Sequence, residues 1–164
     1  MAALEADILA LRPFAILEDE TKTRKNRIGD FFTVGDLGHL DEDGYLFLRD
    51  RKIDLIISGG VNIYPAEIES ALLAHPAVAD AAVFGIPHDD WGEEVKAVVQ
   101  PCEGVEAGPE LAAELIEYCR SHLAAYKCPR TVDFDPELPR DPNGKLYKRR
   151  IRERYWQGRK SRIL

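Results

Sequence analysis

The chain has 164 residues, of which 22 are basic and 29 acidic, giving a net charge of −7 and an apolar fraction of 45%. These values are typical of one ordinary globular domain and exclude a disordered or membrane-embedded chain. The N-terminus is acidic where a signal peptide is basic, and the three cysteines have neither disulfide-framework nor zinc-site spacing, so we expect a cytoplasmic protein without a metal site.

The first fifty residues predict a short helix, a loop and a β-hairpin. Leu4, Ile8 and Leu11 have helical spacing, whereas residues 18–29 are polar and predict a loop. From Phe31 onward, two apolar runs flank the sequence DEDG. Asp-Gly between apolar runs favours a hairpin, because glycine accepts the positive φ that the turn requires.

The remainder of the chain alternates strand and helix patterns. The segment DLIISGG predicts a short strand, and a helix then begins at Pro65 and ends at His75-Pro76. Further elements are predicted at residues 77–86 (strand), 95–100 (strand), 110–123 (helix), 131–134 (strand) and through Tyr147, Ile151 and Tyr155 (helix), with PHDDWGE as a loop between the first two. Short connections in this order predict a compact α+β domain.

The end of the chain is basic. Residues 126–164 hold 12 basic and 5 acidic side chains, although the whole chain is acidic. A solvated helix face is the ordinary interpretation, and an anion site is the functional one. Because the acidic remainder repels a phosphate backbone and no stacking aromatics are interleaved, a small anion is favoured over nucleic acid.

Four short segments carry residue types suited to chemistry. In TVGD, Asp36 follows a glycine at a strand end and is able to accept hydrogen bonds from the vicinal hydroxyls of a ribose, unless it is an ordinary turn aspartate. The paired glycines Gly59 and Gly60 let a ligand approach the backbone, or simply form a tight turn. The segment YKCP follows at residues 126–129. In LPRDPNGK, Lys145 comes directly after a turn glycine, where it is free to point at an anion.

Taken together and in this order, these segments closely resemble the C-terminal third of the adenylate-forming acyl-CoA synthetases. The resemblance runs from Phe31 to Tyr155 and is strongest in RKIDLIISGGVNIYPAEIE, residues 51–69. It implies an α+β fold in which a small three-stranded sheet packs with helices, preceded by a β-hairpin remnant of a large N-terminal domain. The implied organisation is the remnant at residues 1–50, a hinge at 51–54 and the C-terminal domain at 55–164.

The resemblance also implies roles for individual residues. Asp36 and Arg51 match the ribose-binding pair, and Lys145 matches the lysine that bridges the acyl carboxylate and the α-phosphate. In this family the domain swings between an adenylating and a thioester-forming pose. Residues implied at the CoA site are Ser58, Gly59, Gly60, His88 and Trp91. The implied hinge is at Lys52 and Ile53, where many relatives have lysine or aspartate in place of this isoleucine.

The implied reaction converts a carboxylic acid, ATP and CoA into acyl-CoA, AMP and diphosphate through an acyl-adenylate, with a fatty acid as the expected acid. ATP and Mg²⁺ would be held by the large N-terminal domain, whose glycine-rich phosphate loop does not occur before Phe31. We therefore expect the chain alone to be inactive. Two alternatives remain: a module that binds a nucleotide or a protein partner without catalysis, and nucleic-acid binding by the basic end.

Overall fold

The computed structural model describes residues 6–10, 19–29 and 31–158. The chain divides into two compact units, Met1–Asp54 and Leu55–Leu164. Strands and helices occur in both units, so the predicted α+β class is confirmed.

The first unit contains an antiparallel sheet built around one long strand. Its elements are β1 (Ala6–Ala10), α1 (Glu20–Lys25), β2 (Arg27–Ile28), β3 (Phe31–Leu40) and β4 (Leu46–Arg51). Strand β3 pairs with the other three strands, and with β4 it forms the predicted hairpin. Asp41 closes the hairpin turn, because its Oδ1 accepts the backbone N–H groups of Asp43 at 3.0 Å and Tyr45 at 2.8 Å.

Two sequence predictions in this unit are wrong. The predicted N-terminal helix overlaps β1, which pairs with β3; residues 2–5 and 11 lie outside the described part of the chain. A helix this short is marginal by itself, so strand pairing prevails. The predicted loop contains α1, whose N-cap Asp19 accepts the Lys22 N–H at 2.8 Å. No residue of α1 is buried, and the sequence therefore has no apolar residues at helical spacing there.

The second unit has a five-stranded sheet and three α-helices. Its strands are β5 (Ile56–Ser58), β6 (Val61–Ile63), β7 (Val78–His88), β8 (Gly92–Pro101) and β9 (Thr131–Phe134), and its helices are α2 (Pro65–Leu73), α3 (Pro109–His122) and α4 (Lys148–Tyr155). The order is β6-β5-β8-β7, and β9 runs parallel to β8. The three predicted strands form β7, β8 and β9, and the β5–β6 hairpin extends the sheet through the pair Ser58↔Gly92.

The predicted loop PHDDWGE is mostly strand. Strands β7 and β8 continue until His88 pairs with Gly92, which leaves three connecting residues, Asp89 to Trp91. The polar sequence predicted a loop, but Glu93 is only 5% exposed within the ladder.

Alternate residues of β7 and β8 face two hydrophobic clusters. Val83 and Val99 lie on the side covered by α2 and α3, and Phe84 and Val98 lie on the side covered by α4, whose Ile151 is fully buried. Because both faces are covered, these strands have continuous apolar sequences. None of the helices in the described ranges is long and apolar enough to cross a membrane.

Candidate functional site

Asp36 and Arg51 lie opposite each other in the hairpin of the first unit. The ladder pairs them across β3 and β4, and Arg51 Nε lies 3.4 Å from Asp36 Oδ1. Just before Asp36, Gly35 has φ +81° and donates its N–H to the hydroxyl of Thr33 at 3.0 Å. A partly exposed carboxylate can accept hydrogen bonds from a vicinal diol, and the guanidinium beside it can donate hydrogen bonds to the same diol.

The expected hinge residues occupy a turn that directly follows β4. Lys52 donates its backbone N–H to Gly35 O at 2.8 Å, and the Asp54 N–H reaches Arg51 O at 2.9 Å. The side chain of Ile53 is 64% exposed. The division between the two compact units falls directly after this turn.

Gly59 and Gly60 form the two-residue turn of the β5–β6 hairpin. Ser58 pairs with Val61 across the turn, and the two glycines have φ +57° and +81°. Positive φ at both central positions is the conformation of a type I′ turn, which L side chains adopt reluctantly. A Cβ at either glycine would have open space, so conformation rather than crowding requires glycine here.

The rings of His88 and Trp91 stack at the closed end of the β7–β8 hairpin, where the two strands are connected. Their ring centroids are 4.5 Å apart with an interplanar angle of 9°. The guanidinium carbon of Arg130 lies 3.6 Å from the Trp91 ring centroid, a cation–π contact that holds a positive charge at the indole. The Trp91 carbonyl accepts the Gly59 N–H at 3.0 Å, so the stack and the glycine turn are joined through the backbone.

A pocket of about 490 Å³ opens between this turn and the segment that follows α3. Ser58, Gly59 and Trp91 line it, whereas Gly60 and His88 are not among its lining residues. Sequence reasoning missed Arg120 and Arg130, which also line the pocket, whereas Tyr126 belongs to the YKCP segment that it had singled out. The adjoining YKCP motif was the available signal, but the sequence alone does not bring it beside Trp91.

The pocket is cationic and has no activated thiol. Burial raises the pKa of the Cys128 thiol, even though the nearby Arg120 opposes the shift. A protonated thiol is a poor nucleophile, so Cys128 packs rather than reacts. Two arginines beside apolar walls suit a ligand that combines an aliphatic arm with phosphate groups.

Glu93 is a further residue that sequence reasoning missed. Its buried carboxylate accepts the Ile57 N–H at 2.9 Å, which ties β5 to β8 beside their single paired position. A Cβ at Gly85 would meet this carboxyl group at 2.7 Å. Glu93 therefore holds the glycine turn on the sheet, and Gly85 makes room for it.

Lys145 lies elsewhere, in a small hairpin that is closed by the bridge Arg140↔Leu146. Arg140 pairs with Asp80, near the start of β7, whereas His88 ends that strand. At roughly 3.3 Å per residue, Asp80 and His88 are about 26 Å apart. The structure therefore brings Ser58, Gly59 and Trp91 together but places the Lys145 hairpin at the other end of the sheet.

No group of three or more His, Cys, Asp or Glu side chains that could hold a metal ion occurs within the described ranges.

Comparisons with known proteins identify a family for part of this chain. Residues 67–145 match the family model described as the AMP-binding enzyme C-terminal domain. The chain is 46% identical over 134 residues to a 2-succinylbenzoate–CoA ligase of Bacillus cereus, covering 82% of this chain and 27% of the relative. It is 43% identical over 125 residues to the long-chain-fatty-acid–CoA ligase FadD13 of Mycobacterium tuberculosis, covering 76% and 24%.

Among solved structures, the o-succinylbenzoate CoA synthetase MenE of Bacillus subtilis, in complex with its acyl-adenylate intermediate, superimposes with a TM-score of 0.72 and 40% identity. The match covers 89% of this chain and 28% of that structure. The chain thus spans about a quarter of the length of the relatives that it matches.

Proposed function

Because residues 67–145 belong to the AMP-binding enzyme C-terminal domain family, we propose that this chain is the C-terminal part of an ATP-dependent acyl-CoA synthetase. The reaction joins a carboxylic acid to CoA through an acyl-adenylate and releases AMP and diphosphate. The proposal depends on one observation, the distance between Lys145 and the glycine turn. The two lie at opposite ends of one sheet, so one end can serve adenylation and the other thioester formation.

In the adenylating half-reaction, Lys145 is the catalytic residue. Attack of a carboxylate on ATP brings two anions together, and negative charge develops at the α-phosphate. An ammonium aimed at that position stabilises the transition state more than the separated reactants. Lysine suits the task because its compact charge stands on a long stem. Asp36 and Arg51 hold the ribose hydroxyls of the same nucleotide.

In the thioester-forming half-reaction, AMP is already a good leaving group, so the protein has to guide the thiol. The turn Ser58-Gly59-Gly60 forms one wall of the passage for the pantetheine arm. Trp91 and His88 stack beside it, where they contact the incoming CoA. The chain alternates between the two poses by rotation about Lys52 and Ile53, which lie in an exposed turn.

ATP, Mg²⁺ and the acid are bound by a large N-terminal domain, for which relatives about three times as long as this chain have room. We propose that the 164-residue chain alone releases no AMP from ATP, CoA and a fatty acid. The location is cytoplasmic, which fits three free thiols. A chain that binds AMP tightly without any large domain would instead favour the non-catalytic module.

A chimera tests the two roles separately. The aligned quarter of the Bacillus cereus ligase is replaced by this chain, and both half-reactions are measured with 2-succinylbenzoate. We expect Lys145→Ala to lower adenylation by 10²–10³-fold, as loss of one charge donor does in comparable sites, and to spare thioester formation from supplied acyl-adenylate.

Lys25→Ala serves as the matched control, since Lys25 is an exposed lysine on α1. It should leave both half-reactions at the rate of the unmodified chimera. Equal loss of both half-reactions in Lys145→Ala would refute the role of this lysine.

The carboxylic acid is the substrate that remains to be assigned. FadD13 is named for long-chain fatty acids, and we propose a fatty acid here also. An antibody against residues 55–164 recovers the natural polypeptide that carries this sequence, and AMP release is then measured over a panel of acids. Release with aromatic acids alone would contradict the fatty-acid assignment.

A further inference from the structure

The hairpin that carries Lys145 is internally rigid. Asp141 Oδ1 accepts the backbone N–H groups of Asn143 at 2.8 Å and Lys145 at 2.9 Å. The Asp141 N–H in turn reaches Lys145 O at 2.8 Å, and Gly144 takes φ +83° to complete the turn. These bonds fix the shape of the hairpin but not its position on the sheet.

The guanidinium of Arg140 ties the turn of the hairpin to the sheet. Arg140 Nη1 donates to Gly144 O at 2.6 Å, and its Nη2 pairs with Asp80 Oδ2 on β7. Two donors of one planar group therefore connect the turn directly before Lys145 to the central strands. Lysine lacks this fork and would satisfy one of the two partners.

The receiving carboxylate is itself held in place. The Asp80 side chain is 16% exposed, and its Oδ1 accepts the Ala81 N–H at 2.8 Å. Asp80 is paired in the β7–β8 ladder with Gln100, whose side chain accepts the Leu138 N–H at 3.1 Å. The Asp80–Gln100 pair thus binds the Lys145 hairpin at two places. Gln100 binds the segment before it, and Asp80 binds its turn through Arg140.

We propose that Asp80 and Arg140 are positioning residues for Lys145. The inference rests on the proposed function, in which the Lys145 ammonium meets the α-phosphate. Lys145 is exposed and forms no ion pair with any residue in the described ranges, so its reach is set by its backbone. Asp80 and Arg140 tie that backbone to the β7–β8 ladder and touch no reacting atom themselves.

Hydrogen exchange in the full chain tests the tether without any activity. In Asp80→Asn and Arg140→Ala we expect the Gly144 and Lys145 amides to exchange about tenfold faster, as loss of one charge-assisted bond predicts. Amides of the β7–β8 ladder beyond Asp80 and Ala81 should not change. Arg149→Ala is the matched control, because Arg149 forms an exposed ion pair with Glu153 on α4.

If Arg140→Ala fails to fold, Arg140→Lys takes its place, since it keeps the charge and loses only one arm of the fork. Unchanged exchange at Lys145 in folded variants of both Asp80 and Arg140 would overturn the proposal.

The chimera supplies the second readout. A displacement of about 1 Å costs on the order of 10²-fold in rate, so adenylation should fall by that factor in Arg140→Ala while thioester formation is spared. Arg140→Lys should recover part of the loss. If both half-reactions fall together, the pair is merely structural and the proposal fails. An unmodified chimera without adenylation would contradict the proposed function instead, and the exchange measurement would still decide the tether.

Discussion

At the scale of single residues, the glycine turn shows how the same sequence feature supports two interpretations. Paired glycines predict either a tight turn or a close approach by a ligand; the structure shows the turn, and the approach of a ligand stays a prediction. Gly59 and Gly60 have the positive φ values of a type I′ turn, and Gly59 also lines the pocket. The sequence identified these residues, but Arg130 lies 39 positions from Trp91, and only the fold brings the two side chains together.

Substitution of Gly60 tests whether the turn requires glycine for its backbone conformation or because a Cβ would not fit. Gly60→Ala should lower the free energy of unfolding by about 1–2 kcal/mol, because φ +81° is strained for alanine although the site is open. Gly60→Asn should cost less, since asparagine tolerates this region. Urea denaturation of the three proteins measures both differences. A Gly60→Ala protein as stable as the wild type would show that the turn has relaxed to another conformation.

The cysteines permit a second test at this scale. Burial raises the pKa of Cys119 to about 11, with a smaller contribution from Cys128. At pH 8 its thiolate is scarce, so iodoacetamide should modify Cys119 about 10²-fold more slowly in the folded chain than in the unfolded chain. Cys102 is less buried than Cys119 and should react first. Peptide mass spectrometry after a time course gives the three rates, and fast modification of folded Cys119 would contradict the structure.

At the scale of elements, α4 is docked by a small polar network as well as by Ile151. The Tyr155 hydroxyl donates to Asp133 Oδ2 at 2.6 Å, and the buried Lys96 ammonium donates to Asp133 Oδ1 at 2.6 Å. Burial alone would raise the pKa of Asp133, but these two hydrogen bonds together with the positive charge of Lys96 outweigh it and hold the pKa below the usual range. Burial and the neighbouring Asp133 raise the pKa of Tyr155.

These shifts predict a stability loss at both ends of the pH scale. The contribution of Asp133 is present above the usual carboxyl pKa of about 4 and is lost as pH falls through its lowered value. The contribution of Tyr155 is complete below about pH 10, the usual tyrosine value, and is lost as pH rises through its raised value. Urea denaturation as a function of pH should show both losses.

Asp133→Asn should remove the acid loss and Tyr155→Phe the alkaline one, whereas Tyr147→Phe, an exposed tyrosine beside the same helix, should change neither. An unchanged alkaline profile in Tyr155→Phe would show that another group is responsible.

Element boundaries failed in the sequence predictions where a polar side chain is buried. The loop PHDDWGE was predicted because its sequence is polar. In the structure the Glu93 carboxylate accepts the Ile57 N–H, and with this hydrogen bond formed β8 begins at Gly92. Helix α1 was missed for the opposite reason. It buries no residue, so its sequence has no apolar residues at helical spacing. The fully covered strands were predicted well, because continuous apolar runs identify them.

At the scale of the whole molecule, the two compact units differ in where their apolar side chains lie. Both hydrophobic clusters formed by described residues belong to Leu55–Leu164. In the first unit, the β3–β4 hairpin exposes large apolar side chains, which are Phe31, Leu40, Tyr45, Leu46, Phe47 and Leu48. Composition averages over this contrast, so the count of one ordinary domain did not reveal it.

This contrast predicts that residues 55–164 fold without residues 1–54. Their sheet is complete in itself, with α2 and α3 on one face and α4 on the other, and burial of those faces is the main stabilising term. The shortened chain should unfold cooperatively, and the amide spectrum of its β7–β8 ladder should coincide with that of the full chain. Residues 1–54 expressed alone serve as the reciprocal control and should aggregate or remain unfolded, because the apolar hairpin has no described cluster to join. If residues 55–164 lose their dispersed amide spectrum while the full chain keeps it, the second unit depends on the first, and the proposed hinge, which requires a second unit that is stable by itself, is refuted.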